Sequence, residues 1–302
     1  MKHIVKYFLL LALCCSLPAH AALNVFACEP EWAALTKELA GDQAQIYTAT
    51  TALQDPHRVE ARPSLIAKAR RADLVICTGA ELELAWLPVI LREASNPKIA
   101  AGKIGYFEAA SYVSMLEVPS RLDRADGDVH EAGNPHIQLD ARHYLPIARA
   151  LSARLTELDP ANSTFYATRL KSFTDNWSAA LLRWEHQAAP LKGSKVIVQH
   201  RAFPYLNAWL GLKEIAALEP KPGMEPSPAY LSSVLASLNQ TPAKMVIRAA
   251  YQNPKPAQWM AERAHINLVV LPFSVGGSER AADLYGLFDD TIAQLLAGLT
   301  SH

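Results

Sequence analysis

From residue 23 onward, apolar runs of four to six residues alternate with stretches whose apolar positions recur at helical spacing. A strand covered on both faces needs a continuous apolar run, whereas a crossover helix needs only one apolar stripe. The alternation is therefore the pattern of βαβ units and parallel sheets. Residues 23–28, 45–50 and 74–77 read as strands, with a weaker one at 103–107, and residues 31–40, 63–71 and 86–93 read as helices between them. Beyond Pro190 the alternation resumes, with strands at 196–199, 214–217, 245–248 and 268–271 and a closing helix over 279–299. Between the two series, Phe165, Leu170, Phe173, Trp177, Leu181 and Trp184 follow one another at spacings of three to five. That spacing predicts a helix over 160–187, long enough (about 40 Å) to cross a whole domain. The expected fold is α/β: two αβ lobes, each with a central, mostly parallel sheet, joined by one long rigid helix. The expected domains are a leader at 1–21, an N-terminal lobe at 22–159, a linking helix at 160–188 and a C-terminal lobe at 189–302. A processed chain of about 280 residues exceeds the usual single-core size, which agrees with two lobes.

The leader reads as a secretory signal. Lys2 and Lys6 make a basic start, residues 7–17 form a short apolar run, and Pro18-Ala19-His20-Ala21 supplies the small residues a signal peptidase reads. The run is too short for a stable membrane span, so cleavage after Ala21 and a periplasmic location are expected. A lipid anchor on Cys14 or Cys15 is the alternative, but neither follows the small residue such a site requires. No later segment reaches about 18 consecutive apolar residues, so the processed chain is expected to be soluble. The formal net charge of the whole chain is zero, and removing Lys2 and Lys6 leaves 27 basic against 29 acidic residues. Bulk charge gives no reason to bind nucleic acid or an anionic membrane.

Two cysteines outlast the leader, Cys28 and Cys77, each at the carboxyl end of an expected buried strand. If those strands are neighbours in a parallel sheet, their separation of about 4.8 Å suits a disulfide. Two buried thiols, or a thiolate metal site, are the other readings. Three histidines also stand in suggestive strings: Asp55-Pro56-His57, Asn134-Pro135-His136 and Gln199-His200 at the end of a strand. A lone histidine is more often packed or solvated than a ligand. Three in order, each after a strand or a tight proline turn, point to a transition metal, because neutral imidazole is the commonest zinc ligand. A secreted zinc hydrolase is the competing class, but its paired ligands on one element, as in His-Glu-x-x-His, are missing. The candidate ligands are 79 and 64 residues apart. The reading is a binding protein and not an enzyme.

The chain resembles the periplasmic solute-binding proteins of zinc and manganese ABC importers. The resemblance spans residues 22–302 and rests on Asp55-Pro56-His57 with Arg62-Pro63-Ser64, on Ala72-Asp73-Leu74-Val75, on Gly133-Asn134-Pro135-His136, and on His200 before Ala202-Phe203-Pro204-Tyr205. It implies one metal between two lobes, held by His57, His136 and His200. That family usually adds an aspartate just after the last strand, where this chain has Leu271-Pro272-Phe273-Ser274 and no carboxylate. Asp283, one turn into the expected closing helix, is the candidate fourth ligand, ahead of Glu279 or a water; Asp289 and Asp290 read as surface charges. His130 reads as a loop residue or a transient capture ligand, and the long His-rich loop of some relatives is missing. His143 reads as structural, His186, His265 and His302 as surface residues, and Asp140 as a helix cap or an imidazole orienter. Three nitrogens favour one Zn(II) per monomer over manganese or iron(II). The implied partner is an inner-membrane ABC permease, with a periplasmic metallochaperone as a candidate second one and no nucleic acid.

Overall fold

The computed structural model describes residues 22–121, 127 and 130–300. The expected signal segment, with Cys14, Cys15 and Ala21, and the terminal His302 lie outside the described residues. Two four-stranded sheets are present. The first contains β1 (Leu23–Ala27), β2 (Ala44–Thr48), β3 (Leu74–Cys77) and β4 (Tyr106–Glu108), in the order β2-β1-β3-β4. The second contains β5 (Lys195–Val198), β6 (Lys213–Ala217), β7 (Met245–Ala249) and β8 (Asn267–Leu271), in the order β6-β5-β7-β8. Every pairing is parallel. Strand order reverses beside the first strand of each sheet, and in open parallel sheets the crevice beyond the carboxyl ends at that switch is where ligands bind.

Nine helices are described: α1 (Pro30–Ala40), α2 (Pro63–Ala69), α3 (Leu87–Ala94), α4 (Tyr144–Leu158), α5 (Ser163–Ala188), α6 (Pro204–Leu210), α7 (Pro228–Ser237), α8 (Pro254–Ala264) and α9 (Leu284–Thr300). Five of them, α1, α2, α6, α7 and α8, begin on a proline, which costs no hydrogen bond there because the first amides of a helix have no internal partner. Helices α1 and α2 were expected, but α6, α7 and α8 were not, and Pro228 read instead as the end of a proline-rich loop from Glu219.

The long helix α5 runs for 26 residues and buries Tyr166, Phe173, Trp177, Ala180, Trp184 and Ala188 along one stripe. It is no strut across solvent. Trp177 lies 5.0 Å from Tyr144 of α4 and 5.7 Å from Phe288 of α9, ring centre to ring centre, and Trp184 lies 5.2 Å from Phe288. The indole N–H of Trp177 donates to the Ala141 carbonyl at 2.7 Å, and that of Trp184 donates to Asp289 at 2.6 Å. A single apolar core runs from Val25 and Leu74 of the first sheet, through these aromatics, to Val196 and Met245 of the second. Smaller separate cores lie on the outer faces, under α2 and α3 on one side and α7 and α8 on the other.

Cys28, just past β1, and Cys77, the last residue of β3, form a disulfide with their Cα atoms 4.8 Å apart. The parallel pairing of β1 with β3 sets that distance. Because both lobes share the α5 core, they are expected to unfold in one cooperative transition. Trp177→Ala should lower stability by about 3–5 kcal/mol, read from the midpoint shift in denaturant, with the transition still single.

Candidate metal centre

The three histidines sit on loops at the carboxyl ends of the strands, on the side where the two crevices face each other. His57 lies on the loop after β2. Its amide donates to Asp55 Oδ1 at 3.0 Å, and its ring Nδ1 lies 2.9 Å from the same oxygen. The Trp86 indole fastens this loop by donating to the Pro56 carbonyl at 2.9 Å. His136 lies on the connection after β4, its amide donating to Asn134 Oδ1 at 3.1 Å. Two residues past β5, His200 places Nδ1 2.7 Å from Glu219 Oε2, which also accepts the Gly223 amide at 2.8 Å.

The structure brings His57, His136 and His200 together, with one ring nitrogen from each lying within 4.8 Å of the others. Nε2 of His136 and Nε2 of His200 are 3.4 Å apart. A carboxylate only accepts, so each imidazole bonded to one at Nδ1 carries its proton there and turns a bare Nε2 lone pair to the cluster. Nε2 of His57 is buried with no hydrogen-bond partner, as is Nδ1 of His136. Burial, followed by the neighbouring His57 and His200, holds the His136 imidazole well below its ordinary pKa. Burial pushes the Asp55 carboxyl up, but the hydrogen bond and charge of His57 outweigh it and leave Asp55 below the usual range. The site is thus a set of converging ring nitrogens, two of them backed by carboxylates.

One lobe holds the other's ligand loop in place. Tyr205 of α6 donates its hydroxyl hydrogen to the Asn134 carbonyl at 2.7 Å and accepts the Leu116 amide at 3.0 Å. Asn134 in turn donates to the Arg201 carbonyl at 2.8 Å. A cleft of about 530 Å³ opens onto His136 and His200, its walls including Glu117 and His130 from one lobe and Arg201 and Glu219 from the other. The His130 ring centre is 5.5 Å from that of His57.

Asp283 is not brought to the histidines. The closing helix begins at Leu284 and not at 279, because residues 276–283 form a turn in which the Gly276 amide reaches the Ala281 carbonyl and the Ala281 amide reaches Ser278 Oγ. Asp283 is exposed just before α9, where its Oδ1 accepts the Gly286 amide at 2.7 Å as a helix cap. Glu279 is exposed on the same turn. Asp290 is buried against Ser278 and is no surface charge, while Asp289 receives Trp184 and Arg183. The turn after β8 instead brings Phe273, at a left-handed φ of 69°, edge-on to His136 with ring centres 5.5 Å apart. Asp140 accepts the Arg142 amide and guanidinium and does not orient His136, and His143 Nδ1 sits 2.9 Å from the Ile137 carbonyl. His186 and His265 are exposed. The sequence reading missed Asp55 and Glu219 as imidazole partners. Asp55 stood in the quoted string, and Glu219 is the first acid after β6.

The family model described as the periplasmic component A of the zinc-uptake complex (ZnuA) matches residues 25–298. The chain belongs to this family. Family members are substrate-binding components of metal ABC importers and not enzymes. Among relatives, the manganese ABC transporter substrate-binding lipoprotein PsaA of Streptococcus pneumoniae is 22% identical over 282 residues, 92% of this chain and 89% of that protein. The metal ABC transporter substrate-binding lipoprotein ScbA of Streptococcus cristatus is 22% identical over 283 residues, with the same coverage. A crystal structure of ZnuA superposes with a TM-score of 0.77 at 20% identity, covering 92% of this chain and all of that one. A structure of a periplasmic metal-binding protein from Candidatus Liberibacter asiaticus gives 0.73 at 16% identity, covering 91% of this chain and 98% of that one.

In this ZnuA-family chain, removing the carboxylate behind His200 should free that ring to rotate and change tautomer. Glu219→Ala is expected to weaken divalent-metal binding about 10–100-fold, and Glu219→Gln, which can still accept from Nδ1, by less. Calorimetric titration checks both.

Proposed function

We propose that this chain is an exported, high-affinity zinc-binding protein that captures one Zn(II) with His57, His136 and His200 and hands it to a membrane permease. The observation that carries the reading is the all-nitrogen donor set. Among the described residues, the metal-competent group at the cleft contains three imidazoles and no carboxylate. Nitrogen-rich, low-coordinate sites favour zinc, whereas manganese leans toward oxygen donors and higher coordination. The printed name of PsaA points to manganese, but Asp55 and Glu219 spend their carboxylates on imidazole N–H groups and leave the cluster itself to nitrogen. With Phe273 walling one side and the cleft open on the other, the fourth position falls to water or to a group arriving through the cleft.

The shared α5 core and the Tyr205–Asn134 bracket argue against a wide swing of the lobes on capture. They support exchange by local movement of the His57 loop and the 199–203 segment. The leader at 1–21 fits this reading, with cleavage after Ala21 and a periplasmic working place, the protein acting as a monomer beside the permease and its ATPase.

The test is metal content and competition. Chelator-stripped protein should take up one zinc per chain and prefer it over manganese. Changing His57, His136 and His200 together to alanine should abolish uptake, while Asp283→Ala should leave it unchanged. Ligation needs deprotonated rings, so zinc should leave as the pH falls from about 7 to about 5. A preference for manganese, or zinc uptake surviving the triple substitution, would overturn the assignment.

A further inference from the structure

Behind the histidines, away from the cleft, three glutamates are buried in the first lobe: Glu29 and Glu31 at the start of α1, and Glu83 on the loop after β3, none more than 3% exposed. Isolated buried carboxylates are costly unless something neutralises them. No lysine or arginine stands among the groups acting on any of the three. Glu83 is partly satisfied, since it accepts the Thr78 amide at 2.8 Å and the Gly79 amide at 3.1 Å. Glu29 accepts the Thr78 hydroxyl at 3.2 Å and the Thr78 amide at 3.3 Å with Oε2, and its carboxyl shares a hydrogen bond with that of Glu83, while no N–H or hydroxyl donor reaches its buried Oε1. Glu31 receives the hydroxyl of Ser274, which comes from the other lobe on the turn after β8.

Glu29 and Glu31 border a small cavity, about 10 Å³, together with Gln138, Ser274, Phe273, Pro56 and Thr50. That is room for one water-sized occupant. Gln138 is 1% exposed, and its Oε1 is also buried with no partner. The unsatisfied atoms at the cavity are thus acceptors, and two of the groups carrying them or lying beside them are carboxylates. A proton on Glu29 would neutralise it, but that hydrogen is shared with the Glu83 carboxyl and leaves the Gln138 amide oxygen without a donor. A water could donate to both open acceptors, yet it would leave the carboxylate charge uncompensated. The outer end of the cavity is bordered by the exposed Thr51 and Gln54, which gives a small ion a way in.

We propose that Glu29, Glu31, Gln138 and Ser274 form a second cation site, which takes one hard, oxygen-seeking ion of the calcium type between the lobes. Its donors are the Glu29 and Glu31 carboxylates, the Gln138 carbonyl and the Ser274 hydroxyl, an all-oxygen set that suits such an ion and differs in kind from the three imidazoles. The two sites share a wall: Gln138 follows His136 by two residues, Pro56 precedes His57, and Phe273 packs on His136. An ion held there would fix the turn carrying Phe273 and Ser274 against α1. This assignment does not depend on which metal the histidines carry.

Without the ion, these carboxyls stay neutral by keeping protons. Burial pushes the Glu31 and Glu83 carboxyls up to about 7 and Glu29 well above the carboxylate range; Tyr144 of α4 is the other titratable group facing Glu31. A folded-state pKa raised above the unfolded value gives stability that is present in acid and lost as pH rises through about 7.

The experiment uses transition-metal-stripped, full-length processed protein at about pH 8, where protons compete least. Calorimetry with Ca2+ should show one equivalent bound, and the midpoint of thermal unfolding should rise with Ca2+ and lose its decline between about pH 6 and about pH 8. Tb3+ should bind the same site with luminescence sensitised by the buried Trp32, and Ca2+ should compete it away. Glu31→Gln and, from the other lobe, Ser274→Ala should each weaken Ca2+ at least tenfold while zinc stoichiometry at the histidines stays at one. No Ca2+ heat and no Ca2+-dependent unfolding shift for the unmodified chain would mean that protons or water alone fill the cavity, and would overturn the proposal. Unchanged Ca2+ affinity in both variants would overturn it as well, since the ion would then bind elsewhere.

Discussion

The aromatic column along α5 is the constraint on which the rest of the molecule depends. Trp177 is buried between Tyr144 of α4 and Phe288 of α9, Trp184 packs on Trp177 and Phe288, and each indole N–H is hydrogen-bonded. A chain with two sheets and one connecting helix could have been two independent domains on a hinge. Here the apolar faces of both sheets close over the same side chains, so the crevices at their carboxyl ends are held face to face by core packing. Interiors packed at crystal-like density do not deform continuously, and this fixes the spacing of the two lobes to within what the loops can absorb.

Within that fixed frame, the chemistry comes from short-range electrostatics. Each of two imidazoles is turned by a carboxylate on its far side, so proton position and ring orientation are decided by the same bond. The three rings then turn nitrogens toward one another, with Nε2 of His136 and Nε2 of His200 only 3.4 Å apart. Asn134 and Tyr205 carry this order across the gap, by hydrogen bonds that need no metal. The result is a cage whose members are set by the protein before a cargo arrives.

Much of this was legible in the sequence, and the failures have physical reasons. The inner strands β1, β3, β5 and β7 are largely apolar and buried runs, a local signal, and all eight strands appear within three residues of where the runs placed them. His57, His136 and His200 stood out because each follows a strand end or a proline turn, and the parallel topology then carries them to the same side. The helices α6, α7 and α8 went unseen; for α7 the reason is the proline-rich stretch 219–228 before it, which reads as loop while its last proline starts the helix. Asp283 misled for a similar reason. Placing it in the cleft required the closing helix to start at 279, whereas the Gly276 turn consumed those residues and left the aspartate as a cap. Glu219 could not be found from spacing, because its partner is 19 residues away and only the pairing of β5 with β6 brings them together.

The identical strand order of the two sheets makes every cleft loop the counterpart of one in the other lobe. The loop after β2 carries His57, and its counterpart after β6 carries Glu219. The connection after β4 carries His136, and its counterpart after β8 carries Phe273, the ring that faces it. The end of β1 leads into Cys28, tied off in a disulfide, while the end of β5 leads into His200. The scaffold is close to symmetric and the donors are not. Coordination number in such a frame is a property of single loop positions: exchanging an apolar residue for a donor in the 271–274 turn would change a three-nitrogen cage into a four-donor one without altering a strand, a helix or the core between them.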